Sequence, residues 1–121
     1  MKVLGLGIDI CKHSRIQKIL DNQKIKDRFL AKVLHPDEYQ YKITTEFVAS
    51  RWAVKEALIK AVARRRVRFT DVHVAKNPWG EPYLVISGET SQKVQELGIQ
   101  SHLVSLAHEE DYSAAVCIVM G

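Results

Sequence analysis

The chain has little of what marks a secreted or membrane-spanning protein. Its 121 residues include two cysteines, Cys11 and Cys117. Two are too few for a disulfide framework and lack metal-ligand spacing, so both read as reduced small hydrophobes. The longest unbroken apolar run is the seven residues Ala114 to Met120, against the ~20 that a bilayer-crossing helix needs. Met1-Lys2 leads into a short apolar run broken by glycines, Asp9 and Lys12, which is not the pattern of a secretory leader. No GxxxxGK[ST] or GxGxxG occurs, so the standard nucleotide-binding loops are excluded. No repeat or low-complexity tract suggests a solenoid or linker. Aromatic residues make up 7%, too sparse and scattered for the stacking stripe of an RNA-binding sheet.

What is present fits a soluble, unsecreted globular chain, read as one domain over residues 1–121. Apolar residues are 46% and charged residues 26%, close to globular averages. Eighteen Lys/Arg against fourteen Asp/Glu leave a net charge of +4, and residues 11–34 alone carry seven bases and two acids, an excess of 5. Basic charge concentrated in one segment points to a polyanionic partner: an acidic protein, a phosphorylated small molecule or a nucleic acid.

The hydrophobic pattern predicts an α+β fold. Val3 to Ile8 reads as a buried strand ending at Asp9, with close backbone approach at Gly5 and Gly7. Residues 12–32 carry helical spacing interrupted around Asp21-Asn22-Gln23. Pro36-Asp37-Glu38 opens a further helix, its acids facing the positive dipole end. Thr44 to Ala63 forms the longest helix, with Phe47, Val54, Leu58 and Ala61 as its core face. Val72/Val74 and residues 82–86 form a hairpin around Asn77-Pro78-Trp79-Gly80. Residues 90–97 suit a short helix stopped by Gly98. His102–Ala107 and Tyr112–Met120 are the last two strands.

Four places carry residues suited to chemistry. Asp9, at a strand end, serves either as a helix cap or as a hard oxygen ligand. Glu56 lies about 180° around the helix from Phe47, among Ala49, Trp52, Ala53 and Ala63. Lys60 follows one turn later, where an i,i+4 ion pair is the simplest alternative role. His108 ends a strand beside Glu109. Arg64-Arg65-Arg66 either relieve the negative helix end or reach a phosphate. Two carboxylates with lysines and a histidine nearby match the way Mg²⁺ is held against phosphate.

These residues make the chain similar to the holo-acyl-carrier-protein synthases, the small bacterial-type class of 4′-phosphopantetheinyl transferases. The resemblance rests on Gly5-Leu6-Gly7-Ile8-Asp9-Ile10 followed by Arg15-Ile16, then Arg28-Phe29-Leu30 and Val33-Leu34-His35-Pro36-Asp37-Glu38. It rests most on Arg51-Trp52-Ala53-Val54-Lys55-Glu56-Ala57-Leu58-Ile59-Lys60-Ala61, similar to the family's F/W-x-x-K-E-A-x-x-K-A helix. Gly80-Glu81-Pro82 and Val104-Ser105-Leu106-Ala107-His108 complete the series in the family's order.

The resemblance implies an antiparallel sheet packed on the long central helix and a homotrimer with active sites between subunits. One chain would give Asp9 and Glu56, and its neighbour the Gly80–Pro82 loop. The implied reaction moves 4′-phosphopantetheine from coenzyme A to a serine of acyl carrier protein in support of fatty acid biosynthesis. Asp9 and Glu56 would hold Mg²⁺. Asp9, Glu56 and Lys60 would be catalytic. Lys60, Arg51, Lys55, Gly80, Pro82 and His108 would face coenzyme A, while Arg15, Arg28 and Lys32 would meet the acidic carrier. No nucleic acid or membrane partner is implied, and the compartment is the cytoplasm, with the mitochondrial matrix as the alternative. The chain departs from the family pattern at Arg64–Arg66, which stand where a glycine-rich turn is usual, at Glu81 in place of lysine, and at Lys12 and His13. A basic nucleic-acid-binding module and an inactive scaffold of the same fold are the competing readings.

Overall fold

In the computed structural model, which describes residues 1–63 and 67–121, two antiparallel sheets flank one long helix. The elements are β1 (Val3–Lys12), α1 (His13–Leu20), α2 (Lys26–Val33), a 3₁₀ helix (Pro36–Gln40), α2's successor α3 (Thr45–Ala61), a 3₁₀ turn (Phe69–Asp71), β2 (Val72–Lys76), β3 (Pro82–Ile86), α4 (Gly88–Glu96), β4 (Ser101–His108) and β5 (Tyr112–Met120). The larger sheet has the order β1-β5-β4, and β2-β3 form a separate hairpin. No described helix is long and apolar enough to cross a membrane.

α3 starts where its sequence says it should, because Thr44 Oγ1 accepts from the Phe47 amide at 3.1 Å. It ends at Ala61, two residues before the predicted stop. Ala63 takes a left-handed φ of 58°, a conformation that costs a residue with a Cβ and closes the helix. The predicted glycine approach is present. A Cβ on Gly5 would collide with the Ala61 carbonyl oxygen, and one on Gly7 with that of Ala57. Only glycine lets β1 lie this close to α3.

Four expectations change. β1 is not a buried strand: only the face with Gly7 and Cys11 is covered, while Leu6, Ile8 and Ile10 on the other are exposed. Nor does it end at Asp9, continuing to Lys12 and pairing Asp9 with Ala115 and Lys12 with Tyr112. Asp9 is therefore a mid-strand residue, and Lys12 occupies the cap position of α1. Pro36 opens a 3₁₀ helix of five residues, with His35 as its cap. α3 has no single core face: Val48, Ala49, Arg51, Ala53, Val54, Lys55, Ala57, Leu58 and Ala61 are all buried. The three-stranded sheet covers one side of it, while α1, α2 and β2 pack around the rest and Glu38 of the 3₁₀ helix bonds to Lys55. A helix enclosed on both sides needs no amphipathic stripe.

Candidate active site

Alternation along β1 buries Gly7 and Cys11 and turns Asp9 inward with them, towards α3. There Lys60 Nζ donates to the Ile8 carbonyl at 2.9 Å and to Asp9 Oδ1 at 3.2 Å. Asp9 Oδ2 is buried and, among the described residues, has no hydrogen-bond partner. Glu56, one helical turn before Lys60, belongs to the same cluster. Burial, and then the negative charge of Asp9, push its carboxyl above the ordinary carboxylate range, against the opposing charges of Lys60 and Arg15.

Two neighbouring carboxylates, Glu56 held above its ordinary range by burial and the Asp9 charge and Asp9 with an orphaned buried oxygen, form an arrangement that a cation relieves. No group of three or more His, Cys, Asp or Glu ligands exists among the described residues. A two-carboxylate set is what Mg²⁺ uses when water and phosphate oxygens complete its octahedron.

A second group lines a cleft of about 390 Å³ between the start of α3, the β2–β3 turn and the end of β4. Phe47, Arg51, Lys76, Gly80, Pro82 and His108 are on its walls. The turn is held by Asn77, whose Oδ1 accepts from the Trp79 and Glu81 amides at 3.0 and 2.9 Å. Gly80 has a φ of 85°, which suits glycine there. Glu81 points back to this turn, accepting from Asn77 Nδ2 at 3.1 Å. Asp9, Glu56 and Lys60 do not line this cleft. Along α3, Arg51 and Glu56 are five residues apart, which separates them by about 7.5 Å in rise and about 140° in azimuth.

The structure corrects the assignment of Lys55 to coenzyme A. Its ammonium has no exposed surface: it donates to Glu38 Oε1 at 2.6 Å and to the Val33 carbonyl at 2.7 Å. Burial lowers its pKa, opposed by the Glu38 charge. A fully enclosed cation has no face left for a phosphate. Arg51 is buried too, although it borders the cleft. Its guanidinium donates to Ser50 Oγ at 3.0 Å and to the Val74 carbonyl at 3.3 Å. It also lies 4.1 Å over the Phe47 ring and 3.7 Å from Glu38 Oε2.

The departure at His13 is internal as well. Its Nδ1 donates to the Glu110 carbonyl at 2.9 Å, and its Nε2 lies 2.8 Å from Ser113 Oγ. The Arg64–Arg66 run lies outside the described residues.

Two contributors went unread in the sequence. Lys76 adds a cation to the cleft, and its one signal was a lysine flanking the turn. Glu38 reads as a first-turn helix acid, yet it is completely buried.

The model of the 4′-phosphopantetheinyl transferase superfamily matches residues 5–117. A holo-[acyl-carrier-protein] synthase of Edwardsiella ictaluri is 36% identical over 128 residues, covering 100% of each chain. The crystal structure of holo-[acyl-carrier-protein] synthase from Neisseria meningitidis superposes with a TM-score of 0.90 at 27% identity, covering 99% of this chain and 100% of that one. The Helicobacter pylori synthase in complex with coenzyme A gives a TM-score of 0.83 at 30% identity, over 95% of this chain and 99% of that one. With its paired carboxylates on β1 and α3 and this likeness over nearly its whole length, the chain belongs to the 4′-phosphopantetheinyl transferase superfamily.

Proposed function

We propose that the chain is a holo-[acyl-carrier-protein] synthase, moving 4′-phosphopantetheine from coenzyme A to a serine hydroxyl of apo acyl carrier protein. The relatives of that name and the coenzyme A complex support the reaction. The observation that carries the site is the junction of Asp9, Glu56 and Lys60 where β1 meets α3. In the reaction, the serine oxygen forms a bond to the β-phosphorus and the pyrophosphate P–O bond breaks, releasing adenosine 3′,5′-bisphosphate.

The donor set fits Mg²⁺, with Asp9 and Glu56 as its protein ligands. When bound, Mg²⁺ supplies positive charge to the pyrophosphate oxygens. Glu56, its carboxyl raised towards neutrality, accepts the serine proton directly or through water. Lys60, with its side chain 45% exposed, presents a cation to the phosphates. Positioning and charge neutralisation are the main demands of phosphoryl transfer.

The cleft of His108, Gly80 and Pro82 lies apart from this cluster in one protomer, which suits an active site completed by a second copy. The outer face of the three-stranded sheet supplies the matching surface. Leu6, Ile8, Ile10 and Leu103 are 59–67% exposed there, with Leu6, Ile118 and Leu103 in one cross-strand row. Exposed apolar surface of this kind marks an interface, and a homotrimer is the assembly we assign to it. Arg15, Arg28 and Lys32 are exposed. Arg28 and Lys32 rim a groove of about 210 Å³ with Ile19, Ile25 and Phe29 on its walls. An acidic helix with an apolar anchor fits such a groove, and acyl carrier protein is the partner proposed for it.

Incubation with apo carrier protein, coenzyme A and Mg²⁺ should add the mass of one phosphopantetheine to the carrier, and EDTA should abolish the gain. An unchanged carrier mass with the folded wild-type chain would overturn the transferase reading. Undiminished transfer in EDTA would overturn the metal.

A further inference from the structure

Glu38 is a charged residue with no exposed surface, and it touches neither the carboxylate cluster nor the carrier-facing groove. Oε1 carries two hydrogen bonds and Oε2 one, beside the Arg51 charge. Oε1 accepts from Lys55 Nζ at 2.6 Å and from the His35 amide at 2.9 Å. Oε2 accepts from the Val74 amide at 3.1 Å and stands 3.7 Å from Arg51 Nε. Through the bond from Lys55 to the Val33 carbonyl, this single carboxylate ties together the end of α2, the 3₁₀ helix, β2 and two successive turns of α3.

Stability alone is a poor account of such a group. A buried ion pair is often no more stabilising than apolar side chains of similar volume, because desolvation offsets the attraction. Directional bonds offer something that apolar packing of α3 lacks. The helix is buried on nearly every side and presents small residues, Ala49, Ala53, Ala57 and Ala61, along its length. That alanine face lies against β1 at its glycines, while the opposite face, bearing Arg51 and Lys55, is held by Glu38.

Lys55 precedes Glu56 by one residue and Lys60 by five, so its direction sets theirs through the rigid helix. We infer that Glu38 is a positioning residue: by clamping Lys55 and Arg51 it holds α3 at the rotation where Glu56 and Lys60 meet Asp9 and Arg51 borders the cleft. The inference deepens the transferase reading and rests on it.

The test compares Glu38→Gln with Glu38→Gln/Lys55→Met. The single variant strands the Lys55 charge and should lower the melting temperature. The double variant removes both charges at nearly constant volume and should recover most of that loss. A merely structural Glu38 predicts that activity recovers with stability. Positioning predicts that kcat of the double variant stays down by about 10- to 100-fold, the usual penalty for a misplaced catalytic group. Its calorimetric affinity for coenzyme A in EDTA should also fall several-fold, because Arg51 has lost the opposite charge 3.7 Å from its Nε.

Wild-type kcat together with wild-type coenzyme A affinity in a recovered double variant would overturn the inference. If the double variant fails to fold, Glu38→Asp decides, since it keeps the charge but withdraws it by one methylene. Reduced kcat at a near-native melting temperature supports positioning, and unchanged kcat refutes it. The calorimetric arm needs no turnover, so it separates failure of this inference from failure of the transferase reading.

Discussion

Two ionic clusters sit on successive residues of one helix and have opposite characters. Around Lys55, the charges are closed in. The ammonium is 0% exposed, Glu38 and three backbone groups supply the bonds, and only the buried Arg51 Nε lacks a hydrogen-bond partner there among the described residues. Around Glu56 and Lys60, the charges are left open: Asp9 Oδ2 lacks a partner among the described residues, Glu56 is held towards neutrality, and the Lys60 side chain is 45% exposed. The same residue types that build structure when every bond is made are available for chemistry when some are left unmade. In this chain the adjacent Lys55-Glu56 pair therefore divides, with lysine facing the frame and glutamate facing the open carboxylate cluster.

The contrast breaks most visibly through stability. Lys55→Ala strands the Glu38 charge and should cost about 3–5 kcal/mol in a denaturant melt, whereas Lys60→Ala, losing a half-exposed pair, should cost less than about 1 kcal/mol. Equal losses would show that the two clusters do not differ.

Activity should invert the order. Asp9→Asn and Glu56→Gln should each slow transfer by about 10²–10³-fold, with a melting temperature in EDTA equal to or above wild type, since each removes an incompletely satisfied charge. A large loss of stability in Asp9→Asn would place the open cluster in the frame after all.

A third join carries the closed principle to the contact between the two sheets. His102 Nε2 on β4 accepts from the Leu84 amide on β3 at 3.0 Å, and burial lowers its pKa. With its folded pKa below the unfolded value of 6.5, neutral His102 contributes stability that is present above pH 6.5 and lost as pH falls through the depressed value. His102→Gln retains an acceptor that does not titrate. Its melting temperature should fall less than that of wild type between pH 7.5 and pH 5, the difference corresponding to about 1 kcal/mol. Parallel pH profiles would remove His102 from this account.

The smallest effect belongs to the exposed bases. Arg15→Glu/Arg28→Glu should raise KM for the carrier protein at low salt, with the penalty shrinking as the Debye length falls to ~3 Å at 1 M. A KM independent of these charges and of salt would place the carrier elsewhere.

Much of this molecule was legible locally. The Thr44 cap, the uninterrupted α3, the hairpin turn at Asn77–Gly80 and the need for glycine at positions 5 and 7 all follow from short-range chemistry. Asp9 and Glu56 were also legible, although they lie 47 positions apart, because each stands in a recognisable local motif.

The sequence by itself determined which residues could carry phosphate chemistry and where most elements run. Only the tertiary structure decided that Lys55 is frame rather than site, that Glu38 is buried rather than a helix-end acid, and that β1 runs past Asp9 to Lys12. It also decided that the cleft of His108 and Gly80 stands apart from the carboxylates. The physical reason is range. Caps, turns and helical spacing act within about four residues, whereas the bond between Lys55 and Glu38 spans 17 positions. Whether a charge ends in water, in a site or in the core depends on which distant elements close over it.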